Sequence, residues 1–170
     1  MLKQGKMVLR HLKLSDASDY YSCHDKEAKK NFWSVPKTFK DAKAEVKEKI
    51  THYSVPRLER QRETFAIIYD GEFAGFISLH DIRYKHKAVT GSLVHPRFRS
   101  KGIGTKAHKI ILKYAFSVYR LKRVVGHVRV FNKASARMLE KSGYRLEGRL
   151  RKDHFQNGKY FDNLVYGCVR

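Results

Sequence analysis

Val94-His95-Pro96-Arg97-Phe98-Arg99-Ser100-Lys101-Gly102-Ile103-Gly104-Thr105 joins two stretches of different period. Before it, residues 87–95 alternate: Thr90, Ser92 and Val94 face one way, and Gly91, Leu93 and His95 the other, as in a strand. After it, Ile103, Ala107, Ile110, Ile111, Tyr114, Ala115 and Val118 recur at helical spacing across residues 102–119, with Lys106, Lys109 and Lys113 on other faces. A strand therefore runs into a helix through a turn carrying two glycines. Gly102 and Gly104 permit a tight turn and a close approach of backbone to a ligand. The first turn of the helix leaves N–H groups aimed outward at the positive end of the helix dipole, which suits a phosphate. Arg97, Arg99 and Lys101 add positive charge at the same mouth.

Working outward, residues 123–130 read as a strand and residues 133–142 as a helix stopped by Gly143. Two strands, 144–155 and 159–169, flank Asn157-Gly158. Upstream, Thr64–Tyr69 and residues 72–80 flank Asp70-Gly71. Both dipeptides accept positive φ and mark hairpins. Residues 7–13 predict a first strand. Ser15 with Asp16 predicts the cap of a short helix through Cys23. Residues 38–53 predict an exposed helix and residues 54–62 a loop. The sum is an α/β (α+β) chain: a single mixed, mostly antiparallel twisted sheet flanked by helices. With no Gly/Ser tract, no internal repeat and three scattered prolines, residues 1–170 read as a single domain.

Composition narrows the function. Of 170 residues, 37 are Lys or Arg and 16 are Asp or Glu, a net charge of +21, which calls for a polyanionic ligand, partner or surface. The longest apolar runs, such as Phe65–Tyr69, fall far short of the roughly 18 residues of a membrane span. The opening MLKQGKMVLRHLK has no apolar leader core, so no secretory signal and a cytoplasmic setting are expected. Cys23 and Cys168 form neither a disulfide framework nor a CxxC site, and the nine histidines show no metal-ligand spacing, so no metal is expected.

Known phosphate loops do not fit the central turn. GxxxxGK[ST] is absent, and GxGxxG would need glycine where Ala107 stands. The turn instead resembles another pattern. Arg99-Ser100-Lys101-Gly102-Ile103-Gly104 is similar to the (Arg/Gln)-x-x-Gly-x-(Gly/Ala) signature of the GNAT N-acetyltransferases. Asn132 through Tyr144 resembles that family's Asn-x-x-(Ala/Ser)…Glu-Lys-x-Gly-(Phe/Tyr) segment, at the expected distance. Glu147-Gly148, Asn157-Gly158-Lys159 and Asp162 resemble the branch that acetylates ribosomal-protein N-termini, polyamines or similar amines. The likeness covers residues 7 to 169 and implies the GNAT-like acyl-CoA N-acyltransferase fold.

The resemblance implies that acetyl-CoA is the acetyl donor, with no metal. It implies that backbone groups of Leu93 and Val94 pair with its pantetheine arm. Arg99, Ser100, Lys101, Gly102, Ile103, Gly104 and Thr105 would bind the pyrophosphate, Asn132 would bond near the arm, and Ser135 would lie beside the thiol. It also implies a monomer or homodimer and a primary-amine acceptor, foremost a protein N-terminus. The chain departs from the family at two chemical positions: Leu139 stands where many members carry Tyr, and Val89 where many carry Glu. Ser135 is the expected stand-in acid. From Ile82 to Leu139 there is no Asp or Glu, against 15 Lys or Arg, so a carboxylate base must come from elsewhere. Asp81 ranks first, ahead of Glu63, Glu72, Glu140, Glu147, Asp153 and Asp162, and His80 and His95 are neutral alternatives. The excess positive charge also suggests ribosome or RNA association of the acceptor. A binding module without turnover is the rival reading, although aromatic RNA-binding signatures are absent.

Overall fold

A computed structural model describes residues 1–32 and 35–170. Among these residues the strands are β1 (Leu2–Gln4), β2 (Met7–His11), β3 (Arg62–Tyr69), β4 (Glu72–Arg83), β5 (Lys87–Val94), β6 (Arg123–Arg129), β7 (Arg145–Gln156) and β8 (Lys159–Val169). The helices are α1 (Ala17–Ser22), α2 (Lys26–Asn31), α3 (Phe39–Thr51), α4 (Ile103–Ser117) and α5 (Lys133–Ser142). All eight strands join one sheet in the order β1-β2-β3-β4-β5-β6-β8-β7. Every neighbouring pair is antiparallel except β5 and β6, which are parallel and linked through α4.

Local chemistry explains the connections. Asp70 and Gly71 take φ of 52° and 86°, and Asn157 and Gly158 take 51° and 74°; these are the paired positive values of a tight hairpin turn. Thr38 opens α3 with a reciprocal cap: its hydroxyl accepts from the Asp41 N–H, and the Asp41 carboxylate accepts from the Thr38 N–H. Gly143 closes α5 at φ 102°.

The two faces of the sheet carry different helices. On one face α4 and α5 cover Leu79, Val124 and Val128, in a core that includes Ile103, Ile111 and Leu139. On the other, α1, α2 and α3 place Tyr20, Ala28, Ala42 and Val46 against Phe76 and Leu93. Strand alternation sorts the rest. The Gly126 Cα faces α5, because a Cβ built there would lie 2.9 Å from Leu139 Cδ1. His127, the next residue, therefore faces the α1–α3 side.

Four details differ from the sequence reading, the first being a short strand, β1, ahead of the strand expected first at residues 7–13 and paired with it. The Asp16 carboxylate accepts from the Lys13 N–H at 2.7 Å and forks with Arg10, so it anchors a one-turn 3₁₀ segment, Leu14–Asp16, ahead of α1. The short α2 was not anticipated; Asp25 caps it by accepting from the Ala28 N–H at 3.0 Å. Residues 54–62 are not a plain loop, since single 3₁₀ turns lie at His52–Ser54 and Arg57–Glu59.

One polar cluster sits inside the scaffold. Glu63 is fully buried and accepts from Tyr114 Oη at 2.7 Å and Tyr119 Oη at 2.9 Å. Its other oxygen meets Arg60 Nη1 at 2.7 Å and His11 Nε2 at 2.8 Å. Burial opposes its charge, yet the hydrogen bonds from His11, Tyr114 and Tyr119 hold it below the usual carboxylate range. The cluster ties β2, β3 and the end of α4 together.

Candidate functional site: a wedge in the sheet

The parallel pairing of β5 and β6 stops early. Lys87, Ala88, Val89 and Thr90 pair with Arg123, Val124, Val125 and Gly126. No register partner joins them beyond Thr90 and Gly126, although β5 continues to Val94 and β6 to Arg129. Each strand stays bonded to its outer neighbour, β5 to β4 and β6 to β8. The result is a wedge that opens toward Val94. His95 N–H donates to Ala74 O at 2.9 Å, on the β4 side. Backbone groups alternate sides along a strand, so Ser92 and Val94 present theirs to the wedge and Leu93 presents its own to β4. The Val94 carbonyl also accepts from Arg99 Nε at 3.2 Å.

The turn into α4 closes the wide end. Ser100 and Gly102 both take positive φ, 62° and 72°, and Gly102 is the helix N-cap. The first bond within the helix runs from Lys106 N–H to Gly102 O. No side chain caps the end, so the first-turn amides, Ile103 to Thr105, are offered outward. These features fit an anionic diphosphate. The two glycines do different jobs. A Cβ on Gly102 would meet nothing within 4 Å, so the demand there is conformational. A Cβ on Gly104 would collide with Met138 Sδ, so that glycine lets α4 approach α5.

A family model described as an acetyltransferase (GNAT) domain matches residues 6–145. The chain belongs to the GNAT acetyltransferase family. The spermidine N(1)-acetyltransferase of Escherichia coli (strain K12) is 30% identical over 112 residues, 65% of this chain and 60% of that protein. YdaF of Bacillus subtilis (strain 168), provisionally named a ribosomal N-acetyltransferase, is 33% identical over 105 residues, 61% of this chain and 57% of its own length. The chain thus aligns with about 60% of the length of these curated relatives. A solved structure of RimL, a ribosomal L7/L12 alpha-N-protein acetyltransferase in complex with coenzyme A, superposes with a TM-score of 0.87. It covers 98% of this chain and 95% of that one at 19% identity, a likeness of fold.

Within this GNAT chain the expected site residues fall into three places. The first is the α4 turn, where the Arg99 side chain is engaged elsewhere. Its Nη1 reaches Asp25 Oδ2 and Glu27 Oε2, each at 2.7 Å, and its Nη2 reaches Asp25 Oδ1 at 3.0 Å. Arg99 thus fastens the turn to the start of α2, and Ser100, Lys101 and the helix amides are left to face a ligand. Lys101 Nζ lies 5.5 Å from the Phe98 ring centre. Arg97 pairs with Glu72 at 2.9 Å.

The second place is the start of α5. Asn132 Oδ1 accepts from the Ser135 N–H at 3.1 Å, so Asn132 caps the helix that carries Ser135. Leu139 is buried and fills the space above Gly126.

The third place holds Asp81, and it is set apart. Asp81 lies in an irregularity between His80 and Arg83, beyond the paired end of the wedge. Its side chain is 75% exposed, and it contacts His80 Nδ1 at 3.0 Å. Glu63 is locked in the scaffold, Glu147 pairs with Arg123, and Asp162 pairs with Arg149. His95 bonds Ser22 Oγ at 3.2 Å.

One group at the wedge escaped the sequence reading. His127 is the first β6 residue past the last β5 partner, and it is exposed between buried Gly126 and Val128. On its face of the sheet, Asn163 Nδ2 donates to Asp153 Oδ2 at 2.6 Å, and Arg129 Nη1 donates to Asn163 Oδ1 at 2.9 Å. The carboxylate of Asp153 and the ring of His80 both act electrostatically on His127. Partial desolvation by the surrounding chain is the largest influence and lowers its pKa below the ordinary histidine value; the Asp153 carboxylate opposes this, and the like charge of His80 adds to it. Gln156 Nε2 donates to Lys29 O at 3.0 Å, which ties the β7–β8 hairpin to α2. The signal available in the sequence was a polar residue in the apolar run Val124-Val125-Gly126-His127-Val128. Among the described residues no three His, Cys, Asp or Glu side chains are grouped to hold a metal ion.

Proposed function

We propose that this chain transfers an acetyl group from acetyl-CoA to a primary amine, foremost a protein N-terminal amine. The observation that carries this reading is the wedge between β5 and β6 with an uncapped helix N-terminus at its wide end. The wedge offers unpaired strand edge to an extended amide-bearing arm. The turn offers Ser100, Lys101, Gly102 and the amides of Ile103, Gly104 and Thr105 to its diphosphate, which donors and dipole stabilise together. In this reading Val94 N–H faces the developing oxyanion, and Ser135 and Asn132 stand at the thiol end. Holding both reactants in line supplies much of the rate enhancement.

The relatives' names include a spermidine and a ribosomal acetyltransferase. Charge favours the second class. With a net charge of +21, a polycationic acceptor is repelled, whereas an amine presented beside a polyanion is attracted. The exposed strand β7 adds Arg145, Arg149, Arg151 and Lys152, and its hairpin carries Phe155 and Tyr160, exposed rings that meet at a tilt with centres 4.9 Å apart. An exposed run of cations suits a polyanion such as RNA. The test is a panel of peptides and polyamines incubated with acetyl-CoA, read by mass spectrometry and thiol release. N-terminally acetylated peptide with matching thiol supports the reading. Thermal stabilisation by acetyl-CoA with no release for any acceptor supports a binding module instead. If RNA affinity does not fall with salt, the ribosomal partner is discarded.

A further inference from the structure

We propose that His127 is the catalytic residue that takes the proton from the acceptor's ammonium group. This rests on the reading above and names a base for it. Three observations place it there. His127 occupies the point where β5 and β6 part, so its side chain borders the apex of the wedge. It faces the α1–α3 side of the sheet, opposite the α4 and α5 face, so an amine can reach it without displacing the arm of the donor. Among the described residues the groups acting on it come from both flanks. Asp153 of β7 lies on one side, fixed by Asn163 and through it by Arg129, and His80 of β4 lies on the other, held against Asp81.

The chemistry closes. The ammonium loses one proton to a neutral His127 ring nitrogen. The free amine attacks the thioester carbonyl carbon; the C–N bond forms, the C–S bond breaks, and the electron pair leaves with sulfur. The second amine proton passes to the thiolate. The products are the amide, the free thiol and protonated His127, which returns its proton to water. A histidine lowered below its ordinary value is neutral near pH 7 and ready to accept. Asp81 is placed less well, beyond the closed end of the wedge and turned to solvent.

The experiment is the pH profile of kcat/KM for a peptide acceptor in the full chain, with acetyl-CoA affinity measured by calorimetry on the same samples. For the wild type the rising limb reports His127 and lies below the ordinary histidine range. For His127→Gln, acetyl-CoA affinity stays within twofold. The rate near pH 7 falls about 100-fold. The rising limb moves up to the acceptor amine's own pKa, near 8 for an N-terminus. Asp153→Asn moves the wild-type limb to lower pH and His80→Gln moves it to higher pH, because each removes a charge that acts on His127. If His127→Gln keeps the wild-type limb, or if His80→Gln alone abolishes it, the proposal is overturned. If the wild type neither binds acetyl-CoA nor transfers acetyl, the underlying reading falls and takes this one with it. Binding and transfer with an unmoved limb condemn the base assignment alone.

Discussion

Two histidines, His11 bonded to Glu63 and His127 in the field of Asp153, differ in what surrounds them. Around Glu63, the carboxylate is fully buried and four side chains, His11, Arg60, Tyr114 and Tyr119, use both its oxygens. Around His127, the imidazole is exposed, and its carboxylate neighbour Asp153 is held from behind by Asn163. The first cluster has no capacity left for a ligand. The second has a prepared back and an open front. A saturated polar network fixes structure, and chemistry needs a group whose free valence faces a space that a substrate can enter.

The largest expected effect lies in the closed cluster. Glu63→Ala leaves two buried tyrosine hydroxyls, an arginine and a histidine without their shared partner. Stability should fall by roughly 3–5 kcal/mol in denaturant melts. Because the folded pKa of Glu63 is depressed, its contribution is present above the unfolded value of 4.5 and is lost as pH falls below it. Acid melts of the wild type should therefore steepen below that pH, and Glu63→Gln, if it folds, should flatten them. An acid limit shared by both proteins would show that the closed cluster is not an ionic one.

Next comes Gly102→Val, which forces a β-branched residue to φ 72° at the mouth of the site. The cost is about 1–3 kcal/mol of stability, with a loss of acetyl-CoA affinity of tenfold or more. Gly104→Ala separates packing from binding, because its Cβ meets the flexible end of Met138. It should lower the melting temperature by a few degrees and leave the diphosphate donors in place. The smallest stability effect is expected at the open cluster. His127→Gln should shift stability by no more than about 0.5 kcal/mol, while the rate changes as described. A melt that drops by several kcal/mol would mean that the two clusters are alike after all.

Much of the fold was legible because its signals are local. Asp70-Gly71 and Asn157-Gly158 need positive φ within two residues, and the apolar stripe from Ile103 to Val118 declares α4 without help from the rest of the chain. The turn at Gly102 was legible for the same reason. What escaped depends on contacts distant in sequence. The six-residue α2 is too short for periodicity to show; Asp25 is fixed there by Arg99, which lies far along the chain. The local motif around Arg99 predicts a phosphate ligand, whereas its partners Asp25 and Glu27 lie far away in sequence. The sequence does not separate Leu93 from Val94; which of them faces the wedge follows from the register with β4. His127 stayed hidden because its place is defined by where two strands stop pairing, and a single strand's pattern does not carry that information.

The central claim is that the wedge and the first turn of α4 hold acetyl-CoA. Calorimetric titration of acetyl-CoA into the wild-type protein tests it most directly. A saturable heat with one site per chain, weakened tenfold or more in Gly102→Val, is the predicted result. No heat at millimolar acetyl-CoA, or equal affinity in both proteins, would contradict it.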